Sequence, residues 1–372
     1  MDGDQDLFRE SEGKERSEET PSSETDNTRS AEETQKVRID NLEASVVEDL
    51  DEYQLEPFTE EQAKEMDRAF EKAQQDMDAK IRSIFTDTFA EVLAVMGRKE
   101  YEKALGMIED FVGHAEEGVT FHDDSRHVYR CLDETFEHIL YCHYFQPARE
   151  EYIFQPPREV HPISFKYHTM YYLYGNILFE LGRLEDAREA LLKGLHWNPV
   201  DFSLMSEYTE TFKSAIDLET FYGLTLEMGK IAFRPKDLAR YYRNLGFYFI
   251  EKELYQEAEI CYILCLRQEP ESETAYHELE YICQKSGKVP EIPSQETIKE
   301  VCRRCNIPER GDETLLKLAY DNGKYCLETK NYAFASYFLG ILYGLTKAPD
   351  IKEMLDSIPS EEDAGGEPEG EV

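Results

Sequence analysis

Five side chains able to hold a metal ion recur in the first half of the chain: His127, Cys131, Glu134, His138 and Cys142, at spacings of four, three, four and four. On a helix that spacing sets them along one face, and imidazole or thiolate groups at i and i+4 are an arrangement transition metals accept. At about 1.5 Å rise per residue the ends of such a stripe stand about 20 Å apart, so only adjacent members share an ion. The same residues flank Leu132, Ile139 and Leu140, and cysteine and histidine in that setting more often serve packing at a helix boundary. A second motif, Cys302-Arg303-Arg304-Cys305, puts two thiols one turn apart beside guanidinium groups that favour thiolate. A redox site of this kind wants a strand before it, and a zinc site wants a second cysteine pair; neither is in view. Glycine loops for phosphate, His-Glu-x-x-His and Gly-x-Ser-x-Gly are missing, so no catalytic residue, metal or cofactor is assigned and the chain is read as a non-enzyme.

The elements that must position any such groups are helical. Thr59 and Gln62 read as a capping box, and Met66, Phe70, Ala73, Met77, Ile81, Ile84 and Phe85 then recur at three and four. The same period runs from Val128 to Tyr144 and again from Tyr167, while alternating β-branched runs with tight turns are not found, so the fold class is all-α. Pro147, Pro156, Pro157 and Pro162 interrupt the period without glycine or serine, as a rigid connector does.

Composition bounds the rest. The 372 residues carry 41 Lys and Arg against 79 Asp and Glu, a formal net charge of -38, which repels phosphate backbones and anionic membrane surfaces; no nucleic-acid and no membrane partner is expected. Residues 1–55 hold eighteen acids against six bases, and 356–372 hold seven acids and no base, so both ends are expected to be disordered acidic tails. Between them a helical region, 56–160, precedes a repeat domain, 161–355. No apolar run nears the roughly 18 residues of a membrane span, and the start of the chain lacks the basic and apolar segments of a secretory signal. A cytoplasmic protein with its eight cysteines reduced is the expectation.

An internal repeat organises the middle of the chain. With Gly175 set on Gly246, Tyr171 falls on Tyr242, Leu178 on Phe249, Ala187 on Ala258, Leu191 on Tyr262 and Pro199 on Pro270. Each block reads as two helices joined at Gly182-Arg183 or at Lys252-Glu253, with the alanine permitting close approach and the proline ending the pair. The pattern resembles the tetratricopeptide repeat, a 34-residue helix-turn-helix unit. It is clear in 168–201 and 239–272. Weaker copies lie at 85–118, with Tyr101, Ala104, Ile108 and Phe111, and at 316–349, with Gly323, Tyr332, Ala335 and Leu339. The 37 residues from Phe202 to Leu238 read as a degenerate copy with a short insertion.

The resemblance implies a superhelix of hairpins whose concave groove binds another protein. Its groove positions carry over to Thr169, Tyr172, Leu173 and Asn176, to Arg240, Arg243, Asn244 and Phe247, and, for a helix beginning near Glu273, to Thr274, His277, Glu278 and Tyr281. Guanidinium forks suit carboxylates, so an acidic or C-terminal peptide is the partner these residues point to. Arg240 and Arg243 are equally placed to balance neighbouring acids such as Glu251 and Glu253. The family's chaperone-tail clamp has Lys where Tyr172 stands, so a full clamp is not implied. The reading is an adaptor or scaffold. Its alternatives are a chaperone holding a partner's amphipathic helix and, from another class, a regulatory or catalytic metal protein using the His127 to Cys142 face.

Overall fold

In a computed structural model of the chain, the described residues are 86–119, 122–147, 156–287 and 292–359. All belong to the compact unit Gln75–Val372. The expected acidic end 1–55, the Thr59 capping box, the apolar series through Phe85 and the expected tail beyond 359 lie outside the described residues.

The order is α1 (86–97), α2 (Tyr101–Glu117), β1 (His127–Arg130), α3 (Thr135–Phe145), β2 (Glu159–Pro162), α4 (Tyr167–Glu180), α5 (Leu184–Trp197), α6 (Phe202–Ser214) and α7 (Leu218–Ile231). It continues with α8 (Pro235–Glu251), α9 (Tyr255–Gln268), α10 (Glu273–Ser286), α11 (Gln295–Cys305), α12 (Glu313–Glu328), α13 (Tyr332–Thr346) and α14 (Pro349–Asp356). Among the described residues five helical hairpins result: α1/α2, α4/α5, α6/α7, α8/α9 and α12/α13. Successive members from α4 to α10 pack on one another. Among the described residues no helix is long and apolar enough to cross a membrane.

One device shapes all five hairpins. The turn residue is left-handed each time: Lys99 at φ 60°, Gly182 at 74°, Ile216 at 61°, Glu253 at 57° and Lys330 at 59°. The next N–H donates back five residues, at 3.3 Å from Glu100 to Val95, 2.9 Å from Arg183 to Leu178, 3.0 Å from Asp217 to Phe212, 2.8 Å from Leu254 to Phe249 and 2.7 Å from Asn331 to Cys326. That bond satisfies a carbonyl the helix end leaves unpaired and reverses the chain. In α4/α5, α8/α9 and α12/α13 a glycine stands seven residues before the turn, close against the second helix, and there the volumes interlock. A Cβ on Gly175 would lie 2.5 Å from Leu191 Cγ, one on Gly246 2.6 Å from Tyr262 Cε2, and one on Gly323 2.9 Å from Leu339 Cγ. The glycines are notches, and the bulky residues of the second helices fill them.

The turn at Ile216 fixes the register of the off-motif copy. Its notch position is Thr209 and the opposing one is Thr225, both wholly buried, with Phe221 standing where Ala187 and Ala258 stand elsewhere. Thr209 Oγ1 donates to Met205 O at 2.7 Å and Thr225 Oγ1 to Phe221 O at 2.8 Å, which satisfies both hydroxyls without an outside partner. Two medium residues thus replace one void and one large residue. The insertion proves to be an early start of α8, whose first turn, Pro235 to Leu238, precedes the repeat. The repeat at 168–201 begins with its helix, so the extra residues cost no loop.

The all-α class holds for the body of the fold, with one addition. β1 and β2 pair in parallel, His127 with Glu159, Val128 with Val160, Tyr129 with His161 and Arg130 with Pro162. This corrects the single helix expected from Val128 to Tyr144. The α3 helix begins only at Thr135, because Glu134 and Glu137 cap it reciprocally, Glu137 Oε2 accepting from the Asp133 N–H at 2.7 Å and the Glu134 N–H at 3.3 Å. Upstream, alternate burial of Val128 and Arg130 and a buried Arg130–Asp123 ion pair at 2.7 Å hold the chain extended. Trp197 closes the α4/α5 hairpin, stacked on Tyr167 at 4.4 Å between ring centres, and its carbonyl accepts from the Cys131 N–H at 2.8 Å.

Candidate functional site

The first helices of three successive hairpins, α4, α6 and α8, build one polar and aromatic ladder. From α4, Asn176 Nδ2 donates to Glu207 Oε2 on α6 at 3.4 Å. From α8, Arg240 Nη2 donates to Glu210 Oε2, also on α6, at 2.9 Å. Lys213 lies 3.3 Å from Glu210 and sits 4.3 Å over the Phe247 ring, which in turn meets Phe221 edge-on at 5.5 Å. Tyr172, Asn176, Arg240, Arg243 and Phe247 are all half-buried. Of the residues the repeat pattern singles out, Asn176, Arg240 and Phe247 are thereby linked through α6, Tyr172 lies close enough to Glu207 and Arg240 to feel both charges, and Arg243 turns instead to Glu269 just past α9.

Glu207, Glu210 and Lys213 escape that pattern. They sit on the off-motif copy, whose register only the Ile216 turn reveals; an isoleucine gives no sign of a left-handed turn, so no sequence signal marks them. Their presence changes the electrostatics. Burial raises the Glu207 carboxyl above its usual range, Glu210 and Glu180 add to the rise, and Arg240 and Asn176 oppose it. Burial likewise lifts the Tyr172 phenol. Arg240 and Arg243 do balance acids, but the partners are Glu210 and Glu269 rather than Glu251 and Glu253. Both pairs are more than half shielded from solvent on the arginine side, and the Arg240 Nε is buried with no partner. Arg243 also reaches Ser272 Oγ at 3.4 Å.

Asn244, His277 and Tyr281 stand apart from this ladder. Asn244 is buried, 2% exposed, and donates to Met228 Sδ at 3.7 Å, so it serves the α7/α8 packing and not a surface. His277 and Tyr281 are exposed on α10, with Lys285 5.4 Å over the Tyr281 ring. That helix buries only Ala275 and Ile282, and Gly287 in the left-handed region ends it.

The chemical candidates separate likewise. The His127 to Cys142 stripe does not form, because β1 and the capped start of α3 intervene. Cys131 is buried between them, its thiol donating to Phe165 O at 3.2 Å, while His138 and Cys142 are exposed on α3. Arg303 and Arg304 do not activate Cys302: burial pushes that thiol up to about 11, and Glu309 adds to the rise. Arg304 instead pairs with Glu257 at 2.7 Å. Cys261, beneath α11, is driven further up by complete burial.

Comparison with known proteins gives a family match and a loose structural likeness. The tetratricopeptide repeat model matches residues 168–201. No curated protein matches the chain. Among solved structures, a chain of the crystal structure of the APC/C hetero-tetramer Cut9–Hcn1 is 8% identical, with a TM-score of 0.23, covering 73% of this chain. This chain spans about half of that one, 55%. A likeness so loose bears on neither shape nor partner. The family match covers the α4/α5 hairpin; its left-handed turn and five-back hydrogen bond recur in four more hairpins among the described residues, and its glycine interlock recurs in α8/α9 and α12/α13, so the chain is tetratricopeptide-repeat-like in its helical hairpins.

Proposed function

We propose that the protein is a non-catalytic adaptor or scaffold that takes a segment of another polypeptide along the ladder of α4, α6 and α8. Tetratricopeptide-like repeats are interaction modules in general, since hairpins that bury one side on their neighbours leave a continuous side for a partner. The observation that carries the reading is that Asn176 from α4 and Arg240 and Phe247 from α8, all half-buried, meet the side chains of Glu207, Glu210 and Lys213 on α6, with Tyr172 and Arg243 half-buried on the same two helices. Aromatic and guanidinium groups so held are the residues that anchor interfaces.

An acidic or C-terminal peptide fits the two arginines through exchange: the incoming carboxylate takes the place of Glu210 on Arg240 or of Glu269 on Arg243. Exchange of one carboxylate for another leaves the guanidinium paired throughout, which avoids the cost of a stranded buried charge. A cytoplasmic site of action belongs to the same proposal. The test uses fluorescently labelled acidic peptides with free and amidated C-termini, with anisotropy as the readout. Binding should weaken at least about tenfold in the Arg240→Glu, Arg243→Glu double variant, a loss of about 1.4 kcal/mol. Affinity equal to that of the unaltered chain removes the ladder as the site.

A further inference from the structure

The parallel ribbon that replaces the expected helix collects a ligand set of its own. In a strand pair, residues in register project to the same side, as do residues two apart along each strand. His127, in register with Glu159, and Tyr129, in register with His161, therefore share one face of β1/β2. One ligand atom from each of His127, Glu159 and His161 lies within 4.8 Å of the other two. The two imidazole rings stand 5.2 Å apart between centres, and Tyr129 stacks beneath His161 at 5.3 Å.

Two observations make this more than proximity. First, Nε2 of His161 is shielded from solvent and has no hydrogen-bond partner, although 37% of its side chain is exposed; Glu159 Oε1 lies 3.8 Å from it. A shielded nitrogen without a partner is costly unless something takes its lone pair. Second, His127 is oriented from behind. Asp124 Oδ2 lies 3.0 Å from His127 Nδ1, and Asp124 Oδ1 is itself fixed by the backbone N–H groups of Arg126 at 2.6 Å and His127 at 2.7 Å. A carboxylate on Nδ1 places the proton there and leaves Nε2 as the ligand atom, the arrangement that outer carboxylates impose on metal-binding histidines.

We propose that His127, Glu159 and His161 bind a divalent transition-metal ion, with Zn2+ the best suited, and that Asp124 positions His127. Two imidazoles and one carboxylate satisfy a borderline ion, and open coordination positions go to water. Tetrahedral ligands at about 2.0–2.1 Å stand about 3.4 Å apart, so closure asks side-chain rotations of about 1 Å and no backbone change. The ion would tie β1 to β2 across the long segment between them.

The experiment is calorimetric titration of chelator-treated full-length protein with Zn2+, repeated with Co2+ under absorption spectroscopy. One equivalent should bind. His161→Asn should weaken binding by more than the about 10- to 100-fold expected of Asp124→Asn, since a direct ligand outweighs its support. The exposed Glu159→Gln serves as the second ligand variant should His161→Asn lose its circular-dichroism signature. Cobalt should show d–d bands without a thiolate charge-transfer band. No stoichiometric Zn2+ binding, unchanged affinity in both ligand variants, or a thiolate band that reports cysteine coordination each overturns the site.

Discussion

The hairpins α4/α5 and α6/α7 adjoin in sequence, turn through the same left-handed residue and the same five-back hydrogen bond, and yet fill their interiors by opposite means. In α4/α5 the backbone carries a notch, Gly175, and Leu191 fills it. In α6/α7 the equivalent positions hold two buried threonines of equal size, Thr209 and Thr225, and each hydroxyl is absorbed by its own helix. Summed volume and polar satisfaction decide whether such a pair of helices closes, and residue identity follows from them. Motif matching sees the first solution and misses the second.

Cutting the filler separates the two most sharply. Leu191→Ala should cost about 2–5 kcal/mol, as deletion of a fully buried leucine beside rigid backbone leaves a cavity. Thr225→Ala removes far less volume and a locally bonded hydroxyl, so about 1–2 kcal/mol is expected. Urea denaturation of both variants makes the measurement, and equal losses would break the contrast.

A second difference lies at the hairpin entrances. The α4/α5 repeat begins with His168, buried beside Asp133 at 3.3 Å, whereas α6/α7 begins with the apolar Phe202. Burial works against the charged imidazole, but Asp133 outweighs it and holds His168 up to about 9; Asp133 itself, despite burial, is drawn down to about 2 by His168 and Lys166. A raised histidine contributes stability that is complete below its unfolded value of about 6.5 and lost as pH climbs to about 9; the lowered carboxylate contributes above about 4 and is lost on acidification toward 2. Stability should therefore fall by up to about 3 kcal/mol between pH 6.5 and 9, and His168→Leu should flatten that slope. Thermal melts across the range supply the test, with a persisting slope in the variant counting against the pair.

Filling a notch sharpens the comparison further. Gly246→Ala drives a Cβ to within 2.6 Å of Tyr262 and should cost about 1–3 kcal/mol. Converting the pair together, Gly246→Thr with Tyr262→Thr, copies the α6/α7 solution, so its cost should fall short of the sum of the single changes by about 0.5–3 kcal/mol. Strict additivity would show that the threonine pairing depends on other parts of α6/α7.

How much of this was legible in the sequence follows from the same contrast. Gly175, Gly246 and Gly323 with their opposing Leu191, Tyr262 and Leu339 announce three hairpins, because glycine against a large residue is a distinctive spacing. Ala104 and Ile108 mark a fourth. Of the ladder, Tyr172, Asn176, Arg240 and Phe247 were readable through register, while Glu207 and Glu210 were hidden by an off-motif helix. The ribbon was hidden for a different reason. Four-residue strands offer too short a pattern against a helical background, and the pairing of His127 with Glu159 is long-range, so periodicity placed His127 with His138 instead.

The turns offer the smallest effect and the cleanest comparison, since Gly182 and Ile216 occupy the same left-handed position at φ 74° and 61°. Glycine meets no penalty there, whereas a β-branched side chain crowds its own backbone at a cost of about 1–2 kcal/mol. Ile216 is 78% exposed, so its side chain returns little of that through burial. Ile216→Gly should raise stability by about 0.5–1 kcal/mol, the relief of strain being partly offset by the freer unfolded chain. Gly182→Ile should lower stability by a similar or larger amount. A loss in Ile216→Gly, read by the same denaturation assay, would mean that the isoleucine is held by contacts rather than tolerated, and the equivalence of the two turns would fail at the one position where the backbone makes them alike.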